Sequence, residues 1–432
     1  MIAIAALLLA SRSVAYPVGL AGLPTIVIAL LGSNPLPRGS VSLVLFGWMA
    51  AAIVIEVVRN PRALPARIVA ASPLGLSLAL GVWMLARLGA SADESYGREK
   101  IELFLLVNLT MMTAAILVAR RRRHFDLFVA LFLLVAAGSA ILLFVEILTG
   151  NAPAVFSGRY APGENPIGFG RLSADGIVFV VFVLVAASSL RLRYLALALL
   201  PILGVALLAS GSRGPVLGLL AGLTCYVLLL RDRSSRRRLL SLWFGGLAVA
   251  MLAPQLIPGQ NIQRSLAILL GSGSGLSSNG RFELWKQAWH TFGRHPVFGI
   301  GTGGFGAVRP DQLYPHNLFL EVAAELGIVG LLLVAGILAF GLQSLSQAWR
   351  FALPEERPAV ALVVALVVSA LVNALLSSDI QNNSMLWLAL GLGIGLELRI
   401  SDRVDQRSDP ARPGVLVGPP NRHVLPAAGL HD

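Results

Sequence analysis

The sequence predicts an all-α polytopic membrane protein, a bundle of about 12 transmembrane helices. Three observations predict this class. The 432-residue chain has a mean hydropathy of +0.77 and is 56% hydrophobic. Only 13% of its residues are charged, against about 25% in an average soluble domain. Apolar runs of about 20 residues, the length that crosses the hydrocarbon core of a bilayer, recur along it. These values exclude a water-soluble enzyme and an intrinsically disordered chain.

The apolar runs define the individual candidate membrane helices. Their ranges are 14–31, 40–58, 68–88, 101–119, 126–148, 172–189, 194–209, 214–230, 239–257, 317–342, 358–376 and 383–398. The first ten residues lack the basic start of a secretory signal and lead into the first span. Residues 1–399 are therefore interpreted as one membrane bundle, and the polar residues 400–432 as a disordered tail.

The arginines predict the orientation of the bundle. With the N-terminus inside, the dense clusters in 59–67, 120–123, 231–238 and the tail all fall on the cytoplasmic side, as the positive-inside rule requires. The net charge of +12 is thus attributed to topology, and no nucleic-acid partner is predicted. Two long loops, 149–171 and 258–316, then lie outside, and any chemistry belongs to that outer face.

Arg213 is the first candidate site residue. It lies in ASGSRGP at the outer mouth of the eighth span, where a charge is costly without a partner or a ligand. A lone arginine there can simply extend to the lipid headgroups. The flanking Gly211 and Gly214 favour a ligand site, because they let backbone and ligand approach closely.

The loop 258–316 contains two further motifs. The segment NGRFELWKQAWHTF predicts a helix on the membrane surface, with Arg281, Trp285 and Trp289 on one face. An interfacial anchor and a functional arginine fit this pattern equally well. The glycine loop that follows, FGIGTGGFG at 298–306, satisfies G-x-G-x-x-G but has no preceding strand. It predicts a flexible loop that bends over a ligand or simply turns, and not a dinucleotide site.

His316 and two glutamates begin the tenth span. His316 is a candidate general base near neutral pH, although a structural hydrogen-bonding role is the commoner use of a lone histidine. Glu321 and Glu325 follow, and we expect them to pair with an arginine of the bundle. Otherwise the middles of the membrane spans are nearly free of charge.

The remaining motifs bear on phosphate and metal binding. Arg159 and Arg171, in GRYAPGENPIGFGR, lie on the same predicted side as Arg213 and Arg281. The sequence has no D-x-D, and its six histidines show no metal-ligand spacing, which disfavours a metal-dependent transferase. Guanidinium groups can bind phosphate oxygens instead of a metal ion, so no metal and no cofactor are predicted.

Four motifs in order resemble the O-antigen ligase family of bacterial envelope glycosyltransferases. They are SRG at 212–214, R-x-x-x-W at 281–285, HPVFGIGTGGFG at 295–306, and HN with ELGIVG between 316 and 330. Polysaccharide polymerases share this signature. The resemblance is dense over 210–330 and extends loosely over most of the predicted spans.

The resemblance implies a GT-C-like, metal-independent inner-membrane enzyme with a periplasmic site. Its donor is an undecaprenyl-diphosphate-linked glycan, and its acceptor is lipid A core or another glycan hydroxyl. The family roles carry over to Arg213 and Arg281 as diphosphate ligands and to His316 in acceptor activation. Supporting substrate contacts are assigned to Arg159, Arg171, Asn317 and Trp285.

Several functions remain open at this point. The leading one is ligation of O-antigen to lipid A core, followed by polymerisation and by protein O-glycosylation with the same chemistry. A lipid-linked glycan flippase would need arginines lining a central cavity. A purely structural membrane protein would leave Arg213, Arg281 and His316 unexplained.

Overall fold

The structure is a computed structural model that describes residues 14–20, 40–61, 64, 72–149, 154–155, 159–161, 165–230, 280–309 and 312–408. Its elements are numbered in chain order. The helices are α1 Ala15–Gly19, α2 Ser40–Arg59, α3 Pro73–Ala86, α4 Glu94–Arg120, α5 Arg122–Leu148, α6 Pro166–Ala186, α7 Leu190–Ala209, α8 Arg213–Leu229, α9 Arg281–Arg294, α10 Phe305–Val308, α11 Leu318–Phe351, α12 Arg357–Leu376 and α13 Ser384–Ser408. Two short strands, β1 Ala154–Val155 and β2 Arg159–Tyr160, form an antiparallel pair.

The described part of the chain is a polytopic helix bundle. Eight of its helices are long and apolar enough to cross a membrane, and α8 is a shorter apolar helix. Ten of the predicted spans coincide with helices. The first span is described only over 14–20, and the span at 239–257 lies outside the described residues, so the total of twelve stays a prediction.

Several predicted helix boundaries differ from the observed ones, and two of them bear on the site and the tail. Helix α6 begins at Pro166, so the predicted loop 149–171 ends earlier and Arg171 is in the second helical turn. Asn165 caps this helix by accepting a hydrogen bond from the Gly168 amide at 2.9 Å, and proline is favourable at the first helical position. Helix α13 continues to Ser408, beyond the predicted start of a disordered tail at 400.

Small residues allow the helices to pack closely. On α8, Gly214, Gly218 and Gly222 recur every four residues and face α12; a Cβ atom at Gly218 would lie 2.5 Å from Asn373 Nδ2. On α13, Gly391 would place a Cβ atom 2.3 Å from the Met112 carbonyl oxygen of α4. Such small-residue stripes are the usual contact between membrane helices, because no hydrophobic effect drives their association.

Residues predicted to lie on different sides of the membrane are found at opposite ends of the bundle. Residues of the predicted inner loops meet at one end, where the guanidinium of Arg121 lies 2.7 Å from Glu56 and that of Arg120 lies 2.7 Å from Asp402. Arg171, Arg281 and His316 meet at the opposite end. The predicted inner and outer arginines therefore lie at opposite ends, and which end faces the cytoplasm stays a prediction.

Helix α11 is broken near one end. Gly327 has φ 68° and ψ −161°, a left-handed conformation that favours glycine, and it divides a short segment, 318–326, from the rest of the helix. A Cβ atom at this position would lie 2.2 Å from the Val297 carbonyl oxygen. The break therefore depends on glycine both for its conformation and for its space.

We predict that Gly391→Ala destabilises the bundle by about 1–3 kcal/mol, the typical cost of overpacking a filled contact. The added methyl group would collide with the α4 backbone, and the midpoint of thermal unfolding in detergent should fall. Gly204→Ala in α7 is the matched control, because nothing lies within 4 Å of a Cβ atom there. Equal midpoints for the two variants would contradict the close α4 and α13 contact.

Candidate active site

The candidate site surrounds the end of α12 and the turn that follows it, residues 377–383, here called the 377–383 turn. The last carbonyl groups of a helix lack partners within that helix. Arg281 Nη1 donates to the Leu376 carbonyl at 2.7 Å, and Asn317 Nδ2 donates to the Leu375 carbonyl at 3.0 Å. Two predicted site residues from distant parts of the sequence therefore meet at one helix end.

Arg281 is the first residue of α9. Gly280 precedes it with φ 66°, and this left-handed residue turns the chain into the helix. Leu284 and Ala288 bury one face of α9 against α11, in a small apolar cluster with Phe305 and Ala324. This packing fixes the direction from which Arg281 reaches the end of α12.

Arg213 borders the same helix end from another direction. It is the first residue of α8, as predicted. A Cβ atom on the next residue, Gly214, would lie 3.9 Å from Leu376 Cβ and 3.3 Å from Asn373 Oδ1. Because Leu376 also accepts the hydrogen bond from Arg281, Arg281 and the start of α8, which carries Arg213, both lie beside one residue of α12.

His316 lies between α9 and the start of α11 in a strained conformation. Its φ is 56°, unusual for a residue with a side chain, and its ring packs edge-on against Tyr314 with centroids 4.6 Å apart. Its Nε2 atom lies 3.3 Å from Gln312 Oε1. Burial, reinforced by the positive charge of Arg281, lowers the pKa of His316 to about 4. The imidazole is therefore neutral at pH 7 and has a lone pair that can accept a proton.

Asn317 and Trp285 have clear structural roles. Asn317 caps α11, since its side-chain oxygen accepts from the amides of Phe319 and Leu320 at 3.0 and 3.1 Å. Trp285 is half-buried and packs against the apolar cluster between α9 and α11. Trp289, on the same predicted face, is 63% exposed. Substrate contacts of Asn317 and Trp285 stay predictions.

Arg171 also binds the end of α12. Its guanidinium donates to the carbonyls of Asn382 at 3.0 Å, Ser377 at 3.2 Å and Asn373 at 3.4 Å. These contacts join α6 to the 377–383 turn and give Arg171 a structural role beside any contact with substrate. Arg159 is in β2, and its side chain lies outside the described residues.

Of the two alternatives for the glycine loop, the structure favours a turn and not a flexible loop that bends over a ligand. The loop residues Gly299, Gly301 and Gly303 all have positive φ, and a Cβ atom at any of them would lie within 2.6 Å of neighbouring backbone. The amides of Ile300 and Gly301 donate to carbonyls of α11 that the break at Gly327 leaves free, both at 2.9 Å. The glycines thus serve close packing and not bending.

Sequence reasoning assigned the wrong partner to Glu321 and Glu325. They pair with Lys100 of α4, at 2.7 and 2.8 Å, and not with an arginine. The three side chains are 0%, 1% and 2% exposed. Asp175 is also buried, in α6, so the helices carry more ionisable side chains in their interior than predicted. Helical spacing shows which residues share a face, but not which helix lies opposite.

The 377–383 turn itself was missed. Its fully buried Asp379 accepts a hydrogen bond from Tyr96 at 2.7 Å, and Ser378 has φ 66°. In the described residues, Ser378 and His316 are the two positive-φ residues other than glycine. The one available signal was the polar run SSDIQNN between two apolar spans, which reads as an ordinary connection.

Comparison with known proteins agrees with the motifs. Residues 195–335 match the family model described as O-antigen ligase, a range that includes Arg213, Arg281 and His316. An O-antigen ligase from Pseudomonas aeruginosa is 29% identical over 320 residues, covering 68% of this chain and 70% of that protein. The resemblance to the O-antigen ligase family is confirmed. The apolar helices agree with a multi-pass membrane protein.

Proposed function

We propose that this protein is a metal-independent, inverting glycosyltransferase that ligates O-antigen to lipid A core in the periplasm. Its donor is an undecaprenyl-diphosphate-linked glycan, and the acceptor is a sugar hydroxyl. The observation that carries the proposal is the meeting of Arg281 and His316 beside the end of α12, with the start of α8, which carries Arg213, beside Leu376.

The two arginines are suited to the leaving group. Breaking the glycosyl bond leaves negative charge on the diphosphate, and prepositioned guanidinium groups stabilise that charge as it develops. Arg213 is in addition at the N-terminus of α8, where the helix dipole favours an anion. Within the described residues, no three His, Cys, Asp or Glu side chains are arranged to hold a metal ion. The proposal therefore assigns charge neutralisation to the arginines.

His316 is suited to the acceptor. The acceptor hydroxyl must lose a proton as it attacks the anomeric carbon, and a neutral imidazole can take that proton. Direct attack by the acceptor inverts the anomeric centre. The proton ends on His316, and the electron pair of the broken glycosyl bond leaves with the diphosphate.

A polymerase is the second candidate, because its signature motifs are the same. It would use a second lipid-linked glycan as acceptor in place of lipid A core. A protein O-oligosaccharyltransferase would use a serine or threonine hydroxyl, and a flippase would transfer no sugar at all. The similarity to an O-antigen ligase over most of the chain favours the ligase.

We predict that both termini are cytoplasmic and that the site faces the periplasm. Alkaline phosphatase is a reporter that folds only outside the cytoplasm. Its fusions within 231–238 and after 408 should therefore be inactive, and a fusion within 258–280 should be active. An inactive fusion within 258–280 would place the site on the cytoplasmic face, where the proposed periplasmic donor could not reach it.

We predict that Arg213→Lys and Arg281→Lys each lower turnover on the order of 10² to 10³, the typical cost of one transition-state contact. Lysine keeps the charge but loses the two-point guanidinium geometry. The assay contains purified enzyme, undecaprenyl-diphosphate-linked O-antigen, lipid A core and excess EDTA, and measures the ligated product.

Arg294→Lys, at the far end of α9, is the matched control and should retain its rate. Near-normal turnover of both Arg213→Lys and Arg281→Lys would show that positive charge is enough to hold the diphosphate and that the guanidinium geometry is not needed. Loss of wild-type activity in EDTA would contradict the metal-free mechanism. Elongation of the donor without transfer to lipid A core would identify a polymerase.

We predict that kcat/KM stays constant from pH 8 down to about 5 and falls as the pH passes through about 4, the pKa of His316 in the free enzyme. Protonation removes the base, so activity is lost on the acid side. The acid limb of kcat should lie at higher pH, since a bound diphosphate anion favours the charged imidazole. If kcat/KM instead fell at about pH 6.5, the ordinary pKa of histidine, the result would contradict the burial of His316. Near-normal transfer rates for His316→Gln would exclude His316 as the general base.

A further inference from the structure

The buried ion cluster of Lys100, Glu321 and Glu325 connects four parts of the molecule. Lys100 is in α4, and both glutamates are in the short segment 318–326 of α11. Lys100 Nζ lies 2.7 Å from Glu321 and 2.8 Å from Glu325. It also lies 4.8 Å from the centre of the Tyr96 ring, close enough for a cation–π contact. The ammonium group therefore has its charge neutralised inside the protein, without contact with solvent.

Each glutamate also accepts a hydrogen bond from a backbone amide at the site. Glu321 does so through the oxygen other than the one that pairs with Lys100, and Glu325 through an oxygen that Lys100 also contacts. Glu321 Oε2 accepts from the Ile380 amide of the 377–383 turn at 3.0 Å. Glu325 Oε2 accepts from the Gly303 amide of the glycine loop at 2.8 Å. Lys100 thus fixes both carboxylates while each carboxylate fixes one segment.

Two neighbours of Lys100 on α4 hold the same turn. Tyr96 donates to Asp379 Oδ2 at 2.7 Å. Asn108, in the π-helical stretch Phe104–Leu109, donates to the carbonyls of Ile380 and Gln381, both at 3.2 Å. One face of α4 therefore holds the turn to which Arg171 donates, and this turn directly follows Leu376, whose carbonyl accepts from Arg281.

We propose that Lys100 is a positioning residue for the candidate active site, which holds Glu321 and Glu325 so that the 377–383 turn and the glycine loop keep their places. It acts through these groups and does not touch the substrate, because its side chain is 0% exposed and already surrounded by carboxylates. A buried ion pair adds little net stability, since desolvation offsets the attraction, but it specifies a geometry. The role of Lys100 in the rate of glycan transfer rests on the proposed function, whereas its role in holding the two segments does not.

The first test uses Lys100→Met, which keeps the length of the side chain and removes its charge. We expect kcat for glycan transfer to fall about 10²-fold, the scale of a small misplacement of reacting groups, with KM for the lipid-linked donor unchanged. Lys286→Met is the matched control, because Lys286, the other lysine of the chain, is exposed on α9. A raised KM with unchanged kcat would make Lys100 a donor ligand and overturn the proposal.

The second test needs no substrate. Hydrogen–deuterium exchange should show that peptides covering 377–383 and 298–306 lose protection in Lys100→Met, while peptides of α5 keep it. Faster exchange in these two segments together with an inactive wild-type enzyme would refute the proposed function and leave the positioning role intact. Unchanged exchange in both segments would overturn the positioning role.

A second variant covers the case in which Lys100→Met does not fold. Lys100→Met with Glu325→Gln removes one charge of each sign, so the formal charge of the cluster is unchanged. We expect this double variant to fold but to keep the low kcat and the fast exchange at 377–383. Wild-type kcat and exchange would overturn the proposal. Failure of the double variant to fold would assign the cluster to assembly of the bundle and would also overturn it.

Discussion

Backbone carbonyl groups without helical partners determine where the functional side chains lie. Inside a membrane bundle each such group needs a donor, because water is not available to supply one. The break at Gly327 frees carbonyls that the glycine loop and Trp83 satisfy. The end of α12 frees others, which Arg281, Asn317 and Arg171 satisfy. The candidate site is therefore assembled from groups that the helix ends require in any case.

This arrangement gives the arginines two roles. A guanidinium has five N–H donors in one plane, so it can bind a carbonyl group with one edge and present another edge to phosphate oxygens. Binding to a carbonyl holds the long side chain in place before any ligand arrives. Such preorganisation reduces the conformational entropy that an arginine loses when it binds its substrate.

Hydropathy predicted ten spans that coincide with helices, and the arginine alternation predicted which residues lie at the same end of the bundle, because both patterns depend on the bilayer and little on packing. The motifs predicted Arg213, Arg281 and His316, which the structure brings to one end of α12. Lys100 was missed because its partners lie more than 200 residues away along the chain. The role of the glycines stayed open, since a flexible loop and a tightly packed one have the same composition.

The left-handed conformations of His316 and Ser378 store free energy at the site. Non-glycine residues held in such conformations cost about 1–3 kcal/mol each, and the surrounding contacts must supply it. Glycine would relieve that cost at either position, yet it would also release the chain where the geometry matters most. Selection for thermal stability alone would therefore favour substitutions at these two positions, and this protein would gain robustness by loosening the geometry of the candidate site.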